Sequence, residues 1–349
     1  MYETITIDIY SLLKIFGFLA GSFMVAFGLT PTLTFFLYRF KVWKKQKTQA
    51  ITGEKAAIYH KLHAEKHKRN VPTLAGILIW FVVALITLLF NLSRAETYLP
   101  LFTIVCFGLV GLLDDLINLK SSGGGVAGLG FKAKLFWLIL FGVIGGWWFY
   151  YKLDWSIIHI PGGNLIGLPY TLDIGLWYIP LFVFVIIFMA NAVNLTDGLD
   201  GLAGGQLSIS FIAYTVIALI LGKFELAAFC ATVSGATLAY TWFNIPPARF
   251  YMGDTGSLAL GATLGVVAML TNTVIILPII GFIYVIELLS SLIQITSKKC
   301  FRYKVFRVAP IHHHFEALGW KEEKVVMRFW VIGAVFATIG LFIALVGKG

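Results

Sequence analysis

Five aspartates stand in short polar stretches that interrupt a strongly apolar chain. Two form the adjacent pair Asp114-Asp115, and the others lie in Asn-Leu-Thr-Asp197-Gly-Leu-Asp200-Gly and Met-Gly-Asp254-Thr-Gly-Ser. Carboxylates at membrane depth are energetically costly and usually serve a function. Five that gather in one place repel one another unless a cation is present, and hard oxygen ligands suit Mg²⁺. The aspartates therefore predict a divalent-cation site.

Basic and imidazole side chains accompany these aspartates. Lys68 lies in a basic stretch, Lys132 and Lys134 follow the aspartate pair, and three consecutive histidines stand in Ala-Pro-Ile-His-His-His-Phe-Glu, at His312–His314. Such groups supply positive charge for anionic ligands. Carboxylates, a divalent ion and flanking cations are together the parts of a phosphoryl-transfer site.

Each motif also has a structural interpretation. The pair Asp114-Asp115 could cap a helix end, although acids at a C-terminal end oppose the helix dipole. The Asp-Gly steps are common in turns, and the motif around Asp254 could be an N-cap box. The histidines could form an interfacial patch, and Tyr251 could be an interface aromatic. These alternatives stay open at this point.

The composition of the chain indicates which elements position these motifs. Of 349 residues, 59% are hydrophobic and 13% are charged, and the mean hydropathy is +0.87. The long continuous apolar runs exclude a soluble protein, a disordered chain and a β-barrel. Three cysteines exclude a disulfide scaffold. We expect an all-α polytopic membrane protein with a single integral-membrane domain over residues 1–349.

Ten apolar segments have about the length that a membrane-spanning helix needs. They lie at 15–38, 72–90, 99–113, 135–151, 176–193, 205–221, 225–243, 257–271, 274–297 and 326–347. Of the 27 basic residues, 22 fall in the loops after the odd-numbered segments. By the positive-inside rule these loops are cytoplasmic and both termini are periplasmic. The same bias explains the net charge of +10 without a nucleic-acid partner.

This topology brings all five polar clusters to one face of the membrane, the cytoplasmic face, where we expect the active site. The opposite loops are plainer, and residues 152–175 predict a small hairpin. The ninth segment carries a polar stripe of Glu287, Ser290, Ser291 and Gln294 on one helix face. We interpret the two serines as contacts between helices and Gln294 as part of a cleft.

Taken in order, these motifs resemble the polyprenyl-phosphate N-acetylhexosamine-1-phosphate transferases, and most closely the phospho-N-acetylmuramoyl-pentapeptide transferase family. The resemblance covers nearly the whole chain, and the histidine motif separates this branch from relatives that use simpler UDP-hexosamines. It implies transfer of phospho-MurNAc-pentapeptide from UDP-MurNAc-pentapeptide to undecaprenyl phosphate, with Mg²⁺, giving lipid I and UMP. It also implies a bacterial inner-membrane location among membrane lipids. The oligomeric state stays open, with a homodimer among the alternatives.

The resemblance assigns roles to individual residues. Asp254 corresponds to the aspartate linked to Mg²⁺, and the catalytic candidates are Asp114, Asp115, Asp254, His312, His313 and His314. Tyr251 corresponds to an aromatic residue that stacks on uracil. The substrate-binding candidates are Lys68, Thr73, Lys134, Asn194, Asp197, Asp200, Tyr251 and Gln294.

One stretch departs from the family pattern. Where many members read Lys-x-Gly-Thr-Pro-Thr-Met-Gly-Gly, this chain reads Lys68-Arg-Asn-Val-Pro72-Thr73-Leu-Ala-Gly76. Pro72 and Thr73 remain, whereas two glycines and a threonine are replaced. The replacement bears on how closely the backbone approaches a ligand there and on the role of Lys68.

Two alternative functions remain at the level of sequence. The protein could be a sister enzyme that transfers GlcNAc-1-phosphate from UDP-GlcNAc, or a transporter that binds an anion near the membrane midplane. The mechanism is either direct attack of the lipid phosphate on the β-phosphorus or a two-step route through an aspartyl phosphate.

Overall fold

The computed structural model describes residues 8–43, 70–120, 128–163, 167 and 169–347. Each of the ten predicted segments overlaps at least one α-helix. In chain order, the helices are α1 (Ile9–Arg39), α2 (Gly76–Phe90), α3 (Tyr98–Lys120), α4 (Phe131–Leu153), α5 (Tyr178–Thr196), α6 (Leu202–Ile220), α7 (Phe224–Asn244), α8 (Asp254–Leu270), α9 (Leu277–Ile280), α10 (Phe282–Phe301), α11 (Ile311–Ala317) and α12 (Glu322–Val346).

Seven of these helices are long and apolar enough to cross a membrane: α1, α3, α4, α5, α6, α7 and α12. The helices α2 and α8 are also apolar but contain 15 and 17 residues. The prediction of an all-α, multi-pass membrane protein is confirmed at this level.

Helix α8 lies at the centre of the described fold. Every residue from Thr255 to Leu270 is buried, and α8 packs against α2, α3, α5 and α6. The approach of α3 depends on Gly111, because a Cβ there would overlap the backbone carbonyl of Asp254. Close packing at Gly111 thus brings the start of α8 against α3, one helical turn before Asp114.

Two predicted segments differ from the helices in ways that bear on the site. The third segment was expected to end at residue 113, but α3 continues to Lys120. The residues after the aspartate pair include Leu116 and Ile117, which sustain a helix, and Lys120 favours its C-terminal end. The ninth segment is broken at Gly281 into α9 and α10. The aspartate pair therefore lies within a helix and does not cap its C-terminal end.

A two-stranded antiparallel hairpin follows α4. Strand β1 (Ile157–His159) pairs with β2 (Thr171–Asp173), with Ile158 opposite Leu172. The backbone amide of His159 donates to the side-chain oxygen of Asn272 at 3.0 Å, which holds the hairpin beside the end of α8. The predicted hairpin is confirmed.

A second, smaller apolar cluster supports α11. Its buried residues come from the start of α6, from α10 and from α12, and they are Leu199, Leu202, Ile283, Val325, Val326 and Phe329. Phe315 of α11 packs against this cluster. The segment that carries the three histidines is thereby fixed to the beginning of α6.

Candidate active site

Three aspartates from two helices meet where α3 crosses the beginning of α8. One carboxylate oxygen from each of Asp114, Asp115 and Asp254 lies within 4.8 Å of the others. Asp114 and Asp115 are buried, and Asp254 is half-buried. We call these three residues, with the lysine described next, the carboxylate centre. The sequence analysis expected five aspartates in one place, and the structure unites three of them, whereas Asp197 and Asp200 do not belong to this group of carboxylates among the described residues.

Lys134, in the first turn of α4, bridges two of the three acids. Its ammonium nitrogen lies 3.2 Å from Oδ1 of Asp114 and forms an ion pair with Oδ2 of Asp254. Its side chain is 19% exposed. Among the described contacts of Lys134, its ammonium group pairs with two of the three carboxylates, Asp114 and Asp254.

Asn194, near the end of α5, holds the other oxygen of Asp254. Its amide nitrogen donates to Oδ1 of Asp254 at 2.9 Å and to Oγ of Ser257 at 2.8 Å. Ser257 in turn donates to the carbonyl of Gly253 at 2.9 Å. These bonds fix the Asp254 carboxylate between α4 and α5.

Asp115 stabilises the N-terminus of α8 from a neighbouring helix. Its Oδ2 accepts from the backbone amide of Thr255 at 3.0 Å and from the Thr255 hydroxyl at 2.8 Å. Gly253 occupies the N-cap position with φ +74°, and a Cβ there would lie 2.5 Å from Oδ2 of Asp115. Asp115 thus replaces the missing N-cap side chain, because free amides at a helix start favour an anion.

Asp114 meets the start of a different helix. Its Oδ1 accepts from the backbone amide of Leu129 at 2.9 Å, just before α4. A Cβ at Gly128, where φ is +93°, would lie 2.8 Å from Oδ2 of Asp114. Sequence reasoning did not single out Gly128 and Leu129, although the glycines before α4 are a signal for close backbone approach.

The segment before α2 forms the neighbouring wall. The Tyr251 amide donates to the Pro72 carbonyl at 2.8 Å, and the Thr73 amide donates to the Val42 carbonyl at 3.0 Å. Thr73 is buried, and across the described residues its hydroxyl has no hydrogen-bond partner. A Cβ on Gly253 would lie 2.7 Å from that hydroxyl. Thr73 therefore lies next to the Asp115 carboxylate, and Tyr251, half-buried, lies beside this wall.

A second polar cluster is built on α11, and we call Ile311–Ala317 the histidine segment. Nδ1 of His312 lies 2.8 Å from Oε2 of Glu287 on α10, and both side chains are fully buried. The His312 ring also closely approaches Gly198, where a Cβ would overlap Nε2. His312 thus packs against the polar loop after α5. The polar stripe on the ninth segment included Glu287 but did not indicate this partner.

The other two histidines have different contacts. Nδ1 of His313 lies 2.6 Å from Oε2 of Glu316. Nδ1 of His314 accepts from the Arg307 backbone amide at 3.1 Å. The three consecutive histidines therefore have three kinds of partner. His312 contacts α10, His313 pairs with an acid within α11, and His314 contacts the loop before α11.

Gln294 also holds that loop. Its amide nitrogen donates to the Phe306 carbonyl at 3.0 Å, and its amide oxygen accepts from the Phe306 backbone amide at 2.9 Å. Both ends of the side chain are engaged with backbone. The substrate-binding role of Gln294 stays a prediction, and these contacts show it positioning the segment before α11.

The third polar loop joins the two clusters. Asp197 follows the last residue of α5 and is half-buried. Asp200 is buried, and its Oδ2 accepts from the Ala248 amide at 3.0 Å while its own amide donates to Glu322 at 2.7 Å. Asp200 thus ties the loop to α12 and to the segment before α8.

The structure brings some predicted site residues together and separates others. Direct contacts or adjacent atoms unite Thr73, Asp114, Asp115, Lys134, Asn194 and Asp254. The histidines and Gln294 belong to the second cluster. Lys68 lies outside the described residues.

The carboxylate centre fits a small divalent cation by its chemistry. Its donors are hard carboxylate oxygens from three residues within one ion's reach, and Mg²⁺ takes such ligands together with waters and phosphates. The buried Thr73 hydroxyl offers one further polar atom beside them. Within this group, the Asp254 carboxylate lies between Lys134 of α4 and Asn194 of α5, whereas Asp115 is engaged by the α8 N-terminus.

Known proteins are similar to this chain over most of its length. The model of glycosyl transferase family 4 matches residues 97–272. A phospho-N-acetylmuramoyl-pentapeptide-transferase of Geobacillus sp. (strain WCH70) is 39% identical over 328 residues, which cover 92% of this chain and 95% of the relative. A protein of the same name from Chloroflexus aurantiacus is 40% identical over 290 residues, covering 80% and 78%. One from Bacillus pumilus is 37% identical over 325 residues, covering 92% and 95%.

The apolar helical fold and an acidic centre at helix ends describe an integral-membrane transferase of the phosphoryl-transfer type. With these likenesses, the chain belongs to glycosyl transferase family 4 and to the phospho-N-acetylmuramoyl-pentapeptide-transferase family.

Proposed function

We propose that this protein transfers phospho-MurNAc-pentapeptide from UDP-MurNAc-pentapeptide to undecaprenyl phosphate, giving lipid I and UMP. This is the first membrane step of peptidoglycan synthesis. The observation that carries the proposal is the carboxylate centre, in which three acids and one lysine converge at the ends of apolar helices. Membership of the family supports this choice of substrates.

The protein would lie in the bacterial inner membrane with ten spans and both termini periplasmic. Support comes from the excess of basic residues in alternate loops. Helices α2 and α8 are shorter than the roughly 20 residues that cross a bilayer, but neighbouring helices surround α8. The carboxylate centre would then face the cytoplasm, where a water-soluble nucleotide and a membrane-bound lipid phosphate can both reach it.

In this proposal the reaction is a single displacement. An oxygen of undecaprenyl phosphate forms a bond to the β-phosphorus of the UDP-sugar, and the bond from that phosphorus to UMP breaks. A phosphomonoester has a second pKa near 6, so the attacking phosphate is largely ionised at neutral pH. Asp114 would accept the remaining proton, because its carboxylate faces Lys134 and Asp254, and its one backbone donor named above, the Leu129 amide, lies in the segment before α4.

Asp254 would hold Mg²⁺, with Asp114 and Asp115 close by. When bound, Mg²⁺ supplies positive charge to the diphosphate. Lys134 would bind a phosphate oxygen, and Asn194 keeps the Asp254 carboxylate oriented. Asp115 would act by fixing the start of α8, since both of its contacts with Thr255 are to that helix end.

Tyr251 would stack on uracil, and Thr73 and Asp197 would contact the nucleotide-sugar. The histidine segment would position the loop around Gly198, because His312 packs directly on that glycine. This arrangement would place donor recognition between the two polar clusters.

A donor assay tests the proposal. Purified protein with undecaprenyl phosphate should release UMP from UDP-MurNAc-pentapeptide and much less from UDP-GlcNAc. Release from UDP-GlcNAc alone would favour the sister enzyme. No UMP release from either donor, by folded protein supplied with Mg²⁺, would contradict the transferase proposal.

A further inference from the structure

Lys134 lies between two carboxylates of the carboxylate centre, those of Asp114 and Asp254. Its ammonium group contacts Asp114 and Asp254 simultaneously, and its side chain is 19% exposed. Lys132, two residues earlier on α4, is exposed. The two lysines are alike in charge and close in sequence. Among the contacts that the structure describes, Lys134 pairs with the acids and Lys132 does not.

We propose that Lys134 is a resident counter-ion that competes with the divalent metal until the diphosphate of the nucleotide draws its ammonium group away. Metal and nucleotide would therefore bind cooperatively. This inference rests on the proposed metal-binding role of Asp254 and adds an order to the events at that residue.

The argument begins with the two oxygens of Asp254. Oδ1 accepts from the amide of Asn194, and Oδ2 pairs with Lys134. A metal ion beside the same carboxylate would repel the ammonium group, because two positive charges a few ångströms apart interact strongly in a partly buried site. Of the two donors named here, the charged ammonium group is the one that a metal ion beside Asp254 would disfavour.

Lys134 is the donor that can leave. Asn194 is held by a second hydrogen bond, to Ser257 at 2.8 Å, and sits on the packed helix α5. Lys134 has a flexible four-carbon side chain in the first turn of α4, and an ammonium group accepts many geometries. A diphosphate offers it new acceptor oxygens, so the lysine can leave the acids without losing its charge partner.

Linkage makes this idea measurable. If the nucleotide removes a competing cation, it must raise the affinity for metal, and the metal must raise the affinity for nucleotide by the same factor. Removing the lysine charge should raise metal affinity before any nucleotide is added. A lysine that merely organises the acids would have the opposite effect, since its loss would weaken metal binding.

The test measures Mn²⁺ binding to the purified full-length protein by electron paramagnetic resonance, without nucleotide and then with UDP. We expect Lys134→Gln to bind Mn²⁺ about tenfold or more tightly than the unmodified protein when no nucleotide is present. UDP should tighten Mn²⁺ binding by a larger factor in the unmodified protein and in Lys134→Arg than in Lys134→Gln, which has no competing ammonium group to displace. The nucleotide-free comparison is decisive because UDP itself binds Mn²⁺ in solution.

Two controls accompany the measurement. Lys132→Gln removes the same charge two residues away and should leave Mn²⁺ affinity unchanged. Lys134→Met, also neutral and of similar length, replaces Lys134→Gln if the glutamine variant melts early, and the same tightening is expected.

Equal or weaker Mn²⁺ binding in the neutral Lys134 variants would overturn the inference while leaving the metal site itself in place. Asp254→Asn separates the two ideas, because it should abolish the bound Mn²⁺ signal. If no variant shows binding that depends on Asp254, both the metal assignment and this inference fail.

Discussion

Two polar clusters lie at helix ends in this protein, and they balance charge differently. The carboxylate centre brings three acids to one lysine ammonium group. The histidine segment gives each of two buried histidines its own acid, His312 with Glu287 and His313 with Glu316. Among the described contacts, the first cluster gathers carboxylates that could hold a metal ion. In the second, each of the two buried imidazole rings pairs with a carboxylate, one from α10 and one from α11.

In the proposed function, this difference assigns the chemistry to the carboxylate centre and a positioning role to the histidine segment. Like charges gathered without compensation cost folding energy, so they are kept where a ligand offsets them. Buried acid–imidazole pairs are stable without a ligand and orient the ring. Substitutions at the carboxylate centre should therefore affect turnover most, and those at the histidine segment should act more weakly, through position.

The largest effect is expected for Asp254→Asn. The amide keeps the shape and the bond with Asn194 but removes the charge that pairs with Lys134 and would hold Mg²⁺. Turnover should fall by about 10²–10³-fold or more, the range for losing one preorganised electrostatic contact, with little change in melting temperature. Asp173→Asn on the exposed hairpin is the matched control. Near-normal activity at saturating Mg²⁺ would contradict the assignment.

The adjacent aspartates should respond differently from each other. Asp114→Asn should lower kcat strongly with a nearly unchanged melting temperature, because it lies beside Lys134 and relieves repulsion among the acids. Asp115→Asn should lower activity and also destabilise the protein by about 1–3 kcal/mol, since a buried acceptor for the start of α8 is weakened. Activity and thermal unfolding of both variants check this. Retained turnover in both would mean that the pair serves only as a cap.

A weaker effect is expected at Glu287. Glu287→Gln keeps a hydrogen-bonding atom near His312, whereas Glu287→Leu removes it. Loss of ring orientation should raise the KM for the nucleotide-sugar and lower kcat/KM by up to about 100-fold in the leucine variant, with partial recovery in the glutamine variant. If Glu287→Leu matches Asp254→Asn in kcat at saturating substrate, the distinction between the two clusters is wrong.

The smallest effects are expected at Tyr251. Tyr251→Phe keeps the aromatic face and should be nearly silent. Tyr251→Ala should lose roughly 1–3 kcal/mol of binding, by the figure for base–aromatic stacking, chiefly as a raised KM for the nucleotide-sugar. Steady-state kinetics with each substrate varied in turn will show this. Equal changes in both KM values would instead make Tyr251 a structural aromatic.

The architecture and the acidic centre were predictable from the sequence because both follow from simple patterns. Long apolar segments give helices, and polar motifs at their ends mark one functional face. Asp114 and Asp254 are 140 residues apart in sequence, but each stands in a short motif whose chemistry is visible without coordinates.

The partners of those residues were harder to predict. Adjacency of Asp114 and Asp115 did not indicate that Asp114 would accept from the segment before α4 and Asp115 from the start of α8, because that depends on how α4 and α8 pack on α3. The continuation of α3 to Lys120 was also not predicted, because hydrophobicity marks the membrane-spanning segment and not the end of the helix. Glu287 was visible as a polar residue, but its histidine partner is 25 residues away.

The most direct test of the central claim is UMP release by the unmodified protein as Mg²⁺ is removed and restored. The purified protein receives UDP-MurNAc-pentapeptide and undecaprenyl phosphate, first with a chelator and then with excess Mg²⁺. We predict that release stops with the chelator and returns with Mg²⁺, because three carboxylates that lie within 4.8 Å of one another would hold the ion that supplies positive charge to the diphosphate. Undiminished release in the presence of the chelator would contradict a metal-dependent centre at Asp114, Asp115 and Asp254.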